Sequence, residues 1–340
     1  MKIGIDCRYL GLSGIGRFLE NLLEFLDYSK FEYVLFGKKE KIDKYTKASH
    51  VYVNESPFSK SGLFNKAFKI TKNFDYFYSP NFIIPYTIKC KVITTLHDII
   101  FLDMPEINSG KIEMIIKKHL LKRCVKRSEC VFTVSNFSKE RISNYFPKYK
   151  NKIIVGYQGI EESFKTFKHS LEKENYIIFV GNIKKQKGLS VLIDAFNMIK
   201  DNDLKLYIVG DSKNFKNKDD SIMKKMDNPN ILFTGFISDD ELKEKVARAK
   251  FLIQPSTYEG FGLPPLEALY LGTKPIISNI AVFKEVYSDL PVEFFEVNDS
   301  KDLCNKILST DYKMEMVDTN YLNDKFSPKK YAIMIEDKFK

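Results

Sequence analysis

Two glutamates eight positions apart frame the segment of this sequence richest in chemistry, Tyr258-Glu259-Gly260-Phe261-Gly262-Leu263-Pro264-Pro265-Leu266-Glu267-Ala268-Leu269. It follows an apolar run, loops through two glycines and enters a helical pattern whose first turn tolerates proline, because its N–H groups lack intrahelical acceptors anyway. Glycines let an anion approach the backbone, free amides point at it, and the helix dipole favours its negative charge. Carboxylates on either side can accept hydrogen bonds from hydroxyls at the two ends of a phosphate-linked sugar. A second segment, Phe179-Val180-Gly181-Asn182-Ile183-Lys184-Lys185-Gln186-Lys187-Gly188-Leu189, places lysines in a turn between a strand and a helix. A diphosphate gains charge as it departs, and one preorganised contact to it is worth on the order of 3 kcal/mol. His97 closes the run Val92-Ile93-Thr94-Thr95-Leu96-His97-Asp98, at the carboxyl end of an expected strand, where ligands of open α/β sheets bind. Gly11-Leu12-Ser13-Gly14-Ile15-Gly16-Arg17 follows the first apolar run. As a dinucleotide fingerprint it fails, lacking the third glycine and an acid at the end of the next strand.

These residues need strands that end beside one another. Short apolar, β-branched runs at 3–6, 33–36, 74–78, 92–96, 130–134, 153–155, 176–180, 204–209, 231–233, 251–254 and 275–278 alternate with longer helical patterns. Parallel strands require crossover connections, usually helical, so the alternation predicts βαβ units in two doubly wound halves. The polar stretch 165–175 is expected to separate them, and Ser327-Pro328 is expected to open a last helix as N-cap and first helical residue.

Tyr258 to Glu267 resembles the E-x7-E signature of glycosyltransferase family 4, retaining enzymes of the GT-B fold that use nucleotide sugars as donors. The resemblance extends in order and spacing through 1–22, 94–106, 134–141, 179–196, 234–242 and 249–286. It implies an α/β GT-B fold: two Rossmann-like doubly wound domains facing a cleft, with a C-terminal helix crossing back to the N-domain. The domains would be 1–165, binding acceptor, and 170–325, binding nucleotide sugar, with 326–340 as the crossing helix. Implied as catalytic are His97, Lys187 and Glu259. Implied as donor-binding are Gly14, Gly16, Asn182, Lys187, Glu259, Gly260, Phe261, Gly262, Leu263 and Glu267, with Glu259 against the sugar and Glu267 on the ribose hydroxyls. Asn182 stands where many members have arginine, and Lys184 or Lys185 is the available replacement. The Ser135-Asn136-Phe137-Ser138 turn and Glu285 match further family positions. The segments 79–82 and 101–106 look most like a mannosyltransferase-rich branch, which favours GDP-mannose as donor. UDP-sugar transfer, an epimerase, or a non-catalytic sugar-nucleotide-binding protein of this fold are the alternatives.

The 340 residues carry a net charge of +10, from 54 Lys and Arg against 44 Asp and Glu. Residues 1–165 hold 28 basic and 17 acidic side chains, so the excess lies entirely in the first half. It concentrates at 60–72 and at 111–127, where Ile112, Ile115, Ile116, His119, Leu120 and Cys124 recur at helical spacing among seven basic residues. The plain reading puts this apolar stripe on the domain core, with snorkelling lysines left to meet anionic headgroups or a diphosphate. The expected acceptor is a saccharide or a polyprenyl-diphosphate-linked saccharide. No nucleic-acid partner is expected, because Arg-rich runs, zinc-finger spacing and RNP-type motifs are lacking. No metal or other cofactor is expected either: the one D-x-D, Asp201-Asn202-Asp203, precedes a strand on a surface turn, and no His/Cys cluster has zinc spacing. Five scattered cysteines without a C-x-x-C pair, no signal-peptide pattern and no apolar run of membrane-spanning length predict a cytoplasmic protein, peripheral on the inner face of the cell membrane.

Overall fold

The computed structural model describes residues 1–167, 172–210, 228–314 and 317–339, so part of the expected polar linker, 168–171, lies outside the described residues. Two compact units emerge, Met1–Gly159 with Phe326–Lys340, and Ile160–Lys325. The division falls ahead of the polar stretch because Phe164 is buried in the second unit, where Lys243 lies over its ring.

The first unit contains β1 (Lys2–Asp6), β2 (Glu32–Gly37), β3 (Ser49–Tyr52), β4 (Tyr76–Ser79), β5 (Lys91–Thr95), β6 (Cys130–Thr133) and β7 (Ile153–Val155), in the order 3-2-1-4-5-6-7. The second contains β8 (Tyr176–Val180), β9 (Lys205–Val209), β10 (Ile231–Gly235), β11 (Phe251–Gln254), β12 (Lys274–Ser278) and β13 (Glu293–Phe295), in the order 10-9-8-11-12-13. Every pairing is parallel. Central strands such as β8 are buried along their whole length, as expected where helices cover both faces. Both sheets are doubly wound, and strand order reverses between β1 and β4 in one and between β8 and β11 in the other. In open α/β sheets ligands bind at such points, beyond the carboxyl ends of the strands. The sequence reading missed β3 and β13, edge strands of which β3 has no buried side chain and β13 is only three residues long.

The last helix, Pro328–Glu336, starts as its sequence predicts, with the Ser327 hydroxyl accepting from the Lys330 amide at 3.2 Å. It belongs to the first unit: Tyr331, Ala332, Ile335 and Phe339 join the core packed under β1 and β2. Glu336, also buried, accepts from the Asp27 amide (2.7 Å) and the Tyr33 hydroxyl (2.6 Å).

The helix Ser13–Glu24 begins inside the glycine segment after β1 and holds Gly14 and Gly16 in its first turn. A Cβ on Gly16 would lie 2.8 Å from the Tyr9 carbonyl oxygen, so glycine is what lets this turn close onto the preceding segment. On the helix Lys111–Arg127 the apolar stripe does not all face the core. Leu120, Leu121, Cys124 and Val125 are buried, but Ile112, Ile115 and Ile116 are 76%, 62% and 53% exposed. The first turns are held on another side, where Lys117 lies 5.7 Å from the centre of the Phe101 ring, and these three isoleucines are left facing outward.

Candidate active site

The densest constellation in the second unit spans its strand-order reversal, where one loop leaves β8 and another leaves β11. The first ends in a short 3-10 turn, Lys185–Lys187, closed by Gly188 in the left-handed conformation (φ +65°). A Cβ there would sit 1.9 Å from the Pro255 carbonyl oxygen, so only glycine lets the two loops touch. They are stitched by the Thr257 amide donating to the Gln186 carbonyl at 2.8 Å. That register delivers Lys187 to Glu259, with Nζ 2.6 Å from Oε1 and side-chain exposures of 19% and 12%. The Ser256 hydroxyl donates to the same Oε1 at 2.7 Å. Gln254, fully buried at the end of β11, donates to the Ser256 hydroxyl at 2.9 Å, and its own Oε1 has no hydrogen-bond partner among the described residues. The Ser278 hydroxyl donates to the Ser256 carbonyl, fixing the loop from β12.

Beyond Glu259 the chain turns through Gly260 and the buried Phe261 to Gly262, whose φ of +92° and packing against the Phe283 ring exclude a side chain. Leu263 opens the helix Leu263–Tyr270; Pro264 and Pro265 carry no N–H and the Leu266 amide bonds the Tyr287 phenol, so the Leu263 amide is the leading donor with no intrahelical acceptor. The Tyr287 hydroxyl donates to the Gly262 carbonyl, and its phenol is pushed well above its usual range by burial and then by the charges of Glu267 and Glu259. Both carboxylates therefore lie close to one buried ring. Glu267 itself is 5% exposed. Asn182 is exposed just after β8, as are Lys184 and Lys185.

In the first unit, β1 ends at Asp6, which is fully buried and held by Arg8 through Nε to Oδ1 (2.8 Å) and Nη2 to Oδ2 (2.7 Å). The guanidinium also donates to the Gly62 carbonyl at 3.0 Å and lies 4.8 Å from the centre of the Phe68 ring. His97 follows β5, half-buried, its ring edge-on to Phe18. Nε2 lies 3.2 Å from the Pro80 carbonyl, which can only accept, so Nε2 carries the proton and Nδ1 accepts from the Gln158 amide at 2.8 Å. Desolvation lowers its pKa to about 4, against a smaller opposing effect of the Pro80 bond, and the ring is neutral near pH 7. Ser135 caps the helix Asn136–Tyr145, and the Ser138 hydroxyl donates to the His97 carbonyl at 3.0 Å.

Of the residues singled out in the sequence, Lys187, Glu259, Gly260, Phe261, Gly262, Leu263 and Glu267 share one region of the second unit. Gly14, Gly16 and His97 belong to the first. Sequence reasoning missed Gln254, Ser256 and Gly188. Only Gly188 left a trace, as a glycine after a basic turn; the other two act through contacts that spacing does not disclose. Among the described residues no group of three His, Cys, Asp or Glu side chains could hold a metal ion. Asp201 lies exposed and accepts from the Asp203 amide at 2.9 Å.

Two parallel doubly wound sheets, each with flanking helices, define the GT-B class. Solved structures share the fold: a glycosyltransferase from Rickettsia africae superposes with a TM-score of 0.76 at 18% identity over 99% of this chain and 97% of that one. Anabaena HepE, solved in complex with UDP and glucose, gives 0.77 at 16% identity over 99% of each chain. Residues 161–315 match the family model described as glycosyl transferases group 1, in keeping with the resemblance read from the sequence. The chain is similar to O-antigen chain mannosyltransferase B of Escherichia coli, 26% identical over 63% of this chain and 60% of the relative. It is also similar to O-antigen chain mannosyltransferase RfbU of Salmonella typhimurium, 31% identical over 57% of this chain and 54% of the relative. The matches thus span less than two thirds of the length of either relative. An uncharacterized glycosyltransferase of Methanocaldococcus jannaschii is 26% identical over 95% of this chain and 92% of its own length.

Proposed function

We propose that this protein is a retaining, metal-independent hexosyltransferase that moves a sugar from a nucleotide sugar, GDP-mannose by preference, to a saccharide or polyprenyl-diphosphate-linked acceptor in surface polysaccharide synthesis. The observation that carries the reading is the Lys187–Glu259 pair, 2.6 Å apart and fixed by the loop stitch beside the helix start at Leu263. An ammonium has three donors, and one is used on Glu259. The others are directed in this reading to the departing diphosphate, together with the Leu263 amide that opens the helix. All the hydrogen bonds on Glu259 described above fall on Oε1, leaving Oε2 for a hydroxyl of the donor sugar, while Glu267 takes the ribose hydroxyls. Glu259 is engaged by an ammonium and a hydroxyl, a poor setting for a covalent nucleophile. The acceptor oxygen therefore attacks C1 from the face that the phosphate leaves: the C1–O bond to phosphate breaks, the new C1–O bond forms, and the acceptor's proton passes to the departing phosphate oxygen. Neutral His97 is assigned a sugar hydroxyl as the partner to which its Nε2–H passes from the Pro80 carbonyl.

The mannosyltransferase relatives support GDP-mannose, and the charge of the first half supports an acceptor at the anionic inner face of a membrane, approached from the cytoplasm. Among the described residues no helix is long and apolar enough to cross a membrane.

A thermal-shift screen against GDP-, UDP- and dTDP-sugars identifies the donor, with GDP-mannose expected to stabilise most. Glu259→Gln and Lys187→Ala are expected to abolish release of nucleoside diphosphate while the circular dichroism spectrum is retained. Near-normal turnover in either purified variant removes that residue from the site. Recovery of an isomerised sugar without transfer would replace the reading by epimerisation.

A further inference from the structure

The helix Lys111–Arg127 turns an unusual face outward. Lys111, Ile112, Ile115, Ile116, Lys118, His119, Lys122 and Lys126 are all exposed and fall on one side of the helix, opposite the buried Leu121 and Cys124. The face holds three isoleucines, four lysines and no carboxylate. The helix's one acid, Glu113, is turned away from it and bound to Lys117 at 2.6 Å. The apolar surface continues beyond the helix: Arg123 lies 4.0 Å from the centre of the Tyr86 ring, which stacks at 4.9 Å on Phe64, itself 52% exposed. Isolated exposed isoleucines are ordinary, but three on adjacent turns beside a row of lysines have the pattern of a helix lying in a bilayer interface.

We propose that this face docks the protein on a bilayer carrying anionic headgroups. Ile112, Ile115 and Ile116 enter the boundary between headgroups and acyl chains, and Lys111, Lys118, Lys122 and Lys126 meet the lipid phosphates. The inference deepens, and rests on, the reading that the basic half of the chain faces an anionic membrane; it adds the element and the apolar insertion. Charge selects this occupant over a second copy of the chain, which would set lysine rows against each other, and over nucleic acid, which offers nothing to bury isoleucine.

The test is co-sedimentation of the full chain with vesicles of phosphatidylcholine alone and of an equal mixture with phosphatidylglycerol. The wild type is expected to pellet with the mixture and to stay in the supernatant with phosphatidylcholine. The triple variant Ile112→Ser, Ile115→Ser, Ile116→Ser should keep the wild-type melting temperature, because all three side chains are exposed, and should lose about tenfold or more in partitioning. Replacing the four lysines by glutamine should cost roughly fivefold per lysine at low salt. Failure of the wild type to pellet with the mixture overturns both the docking face and the membrane reading beneath it. Wild-type pelleting by the triple variant overturns the face alone. A wild-type dimer in sedimentation velocity that the serines convert to monomer also overturns it, making the face a self-association surface. Nucleotide-sugar binding by the second unit is a separate measurement, so these failures leave the donor reading in place.

Discussion

Alanine in place of Gly188 tests whether the candidate active site depends on the contact between its two loops. The substituted residue must keep φ near +65°, which costs an L-residue about 1–2 kcal/mol. Its Cβ must also escape a carbonyl oxygen 1.9 Å away, a distance that requires the Pro255 segment to retreat by well over an ångström. That retreat pulls the Thr257 amide off the Gln186 carbonyl, now 2.8 Å away, at a net cost of about 0.5–1.5 kcal/mol. The sum, roughly 1.5–3.5 kcal/mol, corresponds to a melting-temperature drop of about 3–14 °C for a unit of this size. Lys187 is the residue before the substitution and moves with it, so nucleoside diphosphate affinity should fall at least tenfold, and transfer by about a hundredfold for an ångström of misplacement. Differential scanning fluorimetry with and without GDP and UDP, and isothermal titration of whichever nucleotide binds the wild type, give both numbers. A Gly188→Ala protein with wild-type melting temperature and affinity would refute the claim that this glycine holds the site together.

Removing the Ser256 hydroxyl takes one donor from Glu259 and one acceptor from the buried Gln254 amide, so Ser256→Ala should destabilise by about 1–3 kcal/mol and raise KM for the donor; unchanged urea unfolding and KM would disprove its positioning role. Arg8→Met leaves the Asp6 carboxylate buried and unpaired and should cost about 3–5 kcal/mol, whereas the double variant with Asp6→Leu should recover much of it; a single variant no worse than the double sinks the idea. The folded pKa of His97, about 4, lies below its ordinary 6.5, so the unfolded chain binds the extra proton first. This contribution to stability is fully present above pH 6.5 and is lost as the pH falls towards 4. His97→Gln should flatten the stability–pH curve in that window, and an unaltered slope would show that His97 does not set it.

The amino-acid order alone specified the two doubly wound halves, because short apolar runs such as 176–180 and 251–254 alternate with longer helical patterns, and parallel strands need such crossovers between them. It specified the last helix as well, since Ser327 and Pro328 act within a single turn. Glycines around Glu259 and the acid eight positions later were legible for the same reason: a loop entering a helix is local chemistry. Packing decided the rest. Edge strands β3 and β13 take their conformation from pairing with a neighbour: β3 buries none of its side chains, and the Phe294-Phe295 pair of β13 is too short to mark a strand by itself. Ile112, Ile115 and Ile116 obey the same periodicity as Leu120 and Cys124, yet lie outside, because periodicity defines a face without saying how far the core beneath it extends. The meeting of Lys187 with Glu259, and of His97 with Gln158 and Pro80, joins segments far apart in the chain. Their proximity follows from the order of strands in a sheet, and strand order is settled by the free energy of the assembled core rather than by any short stretch of residues.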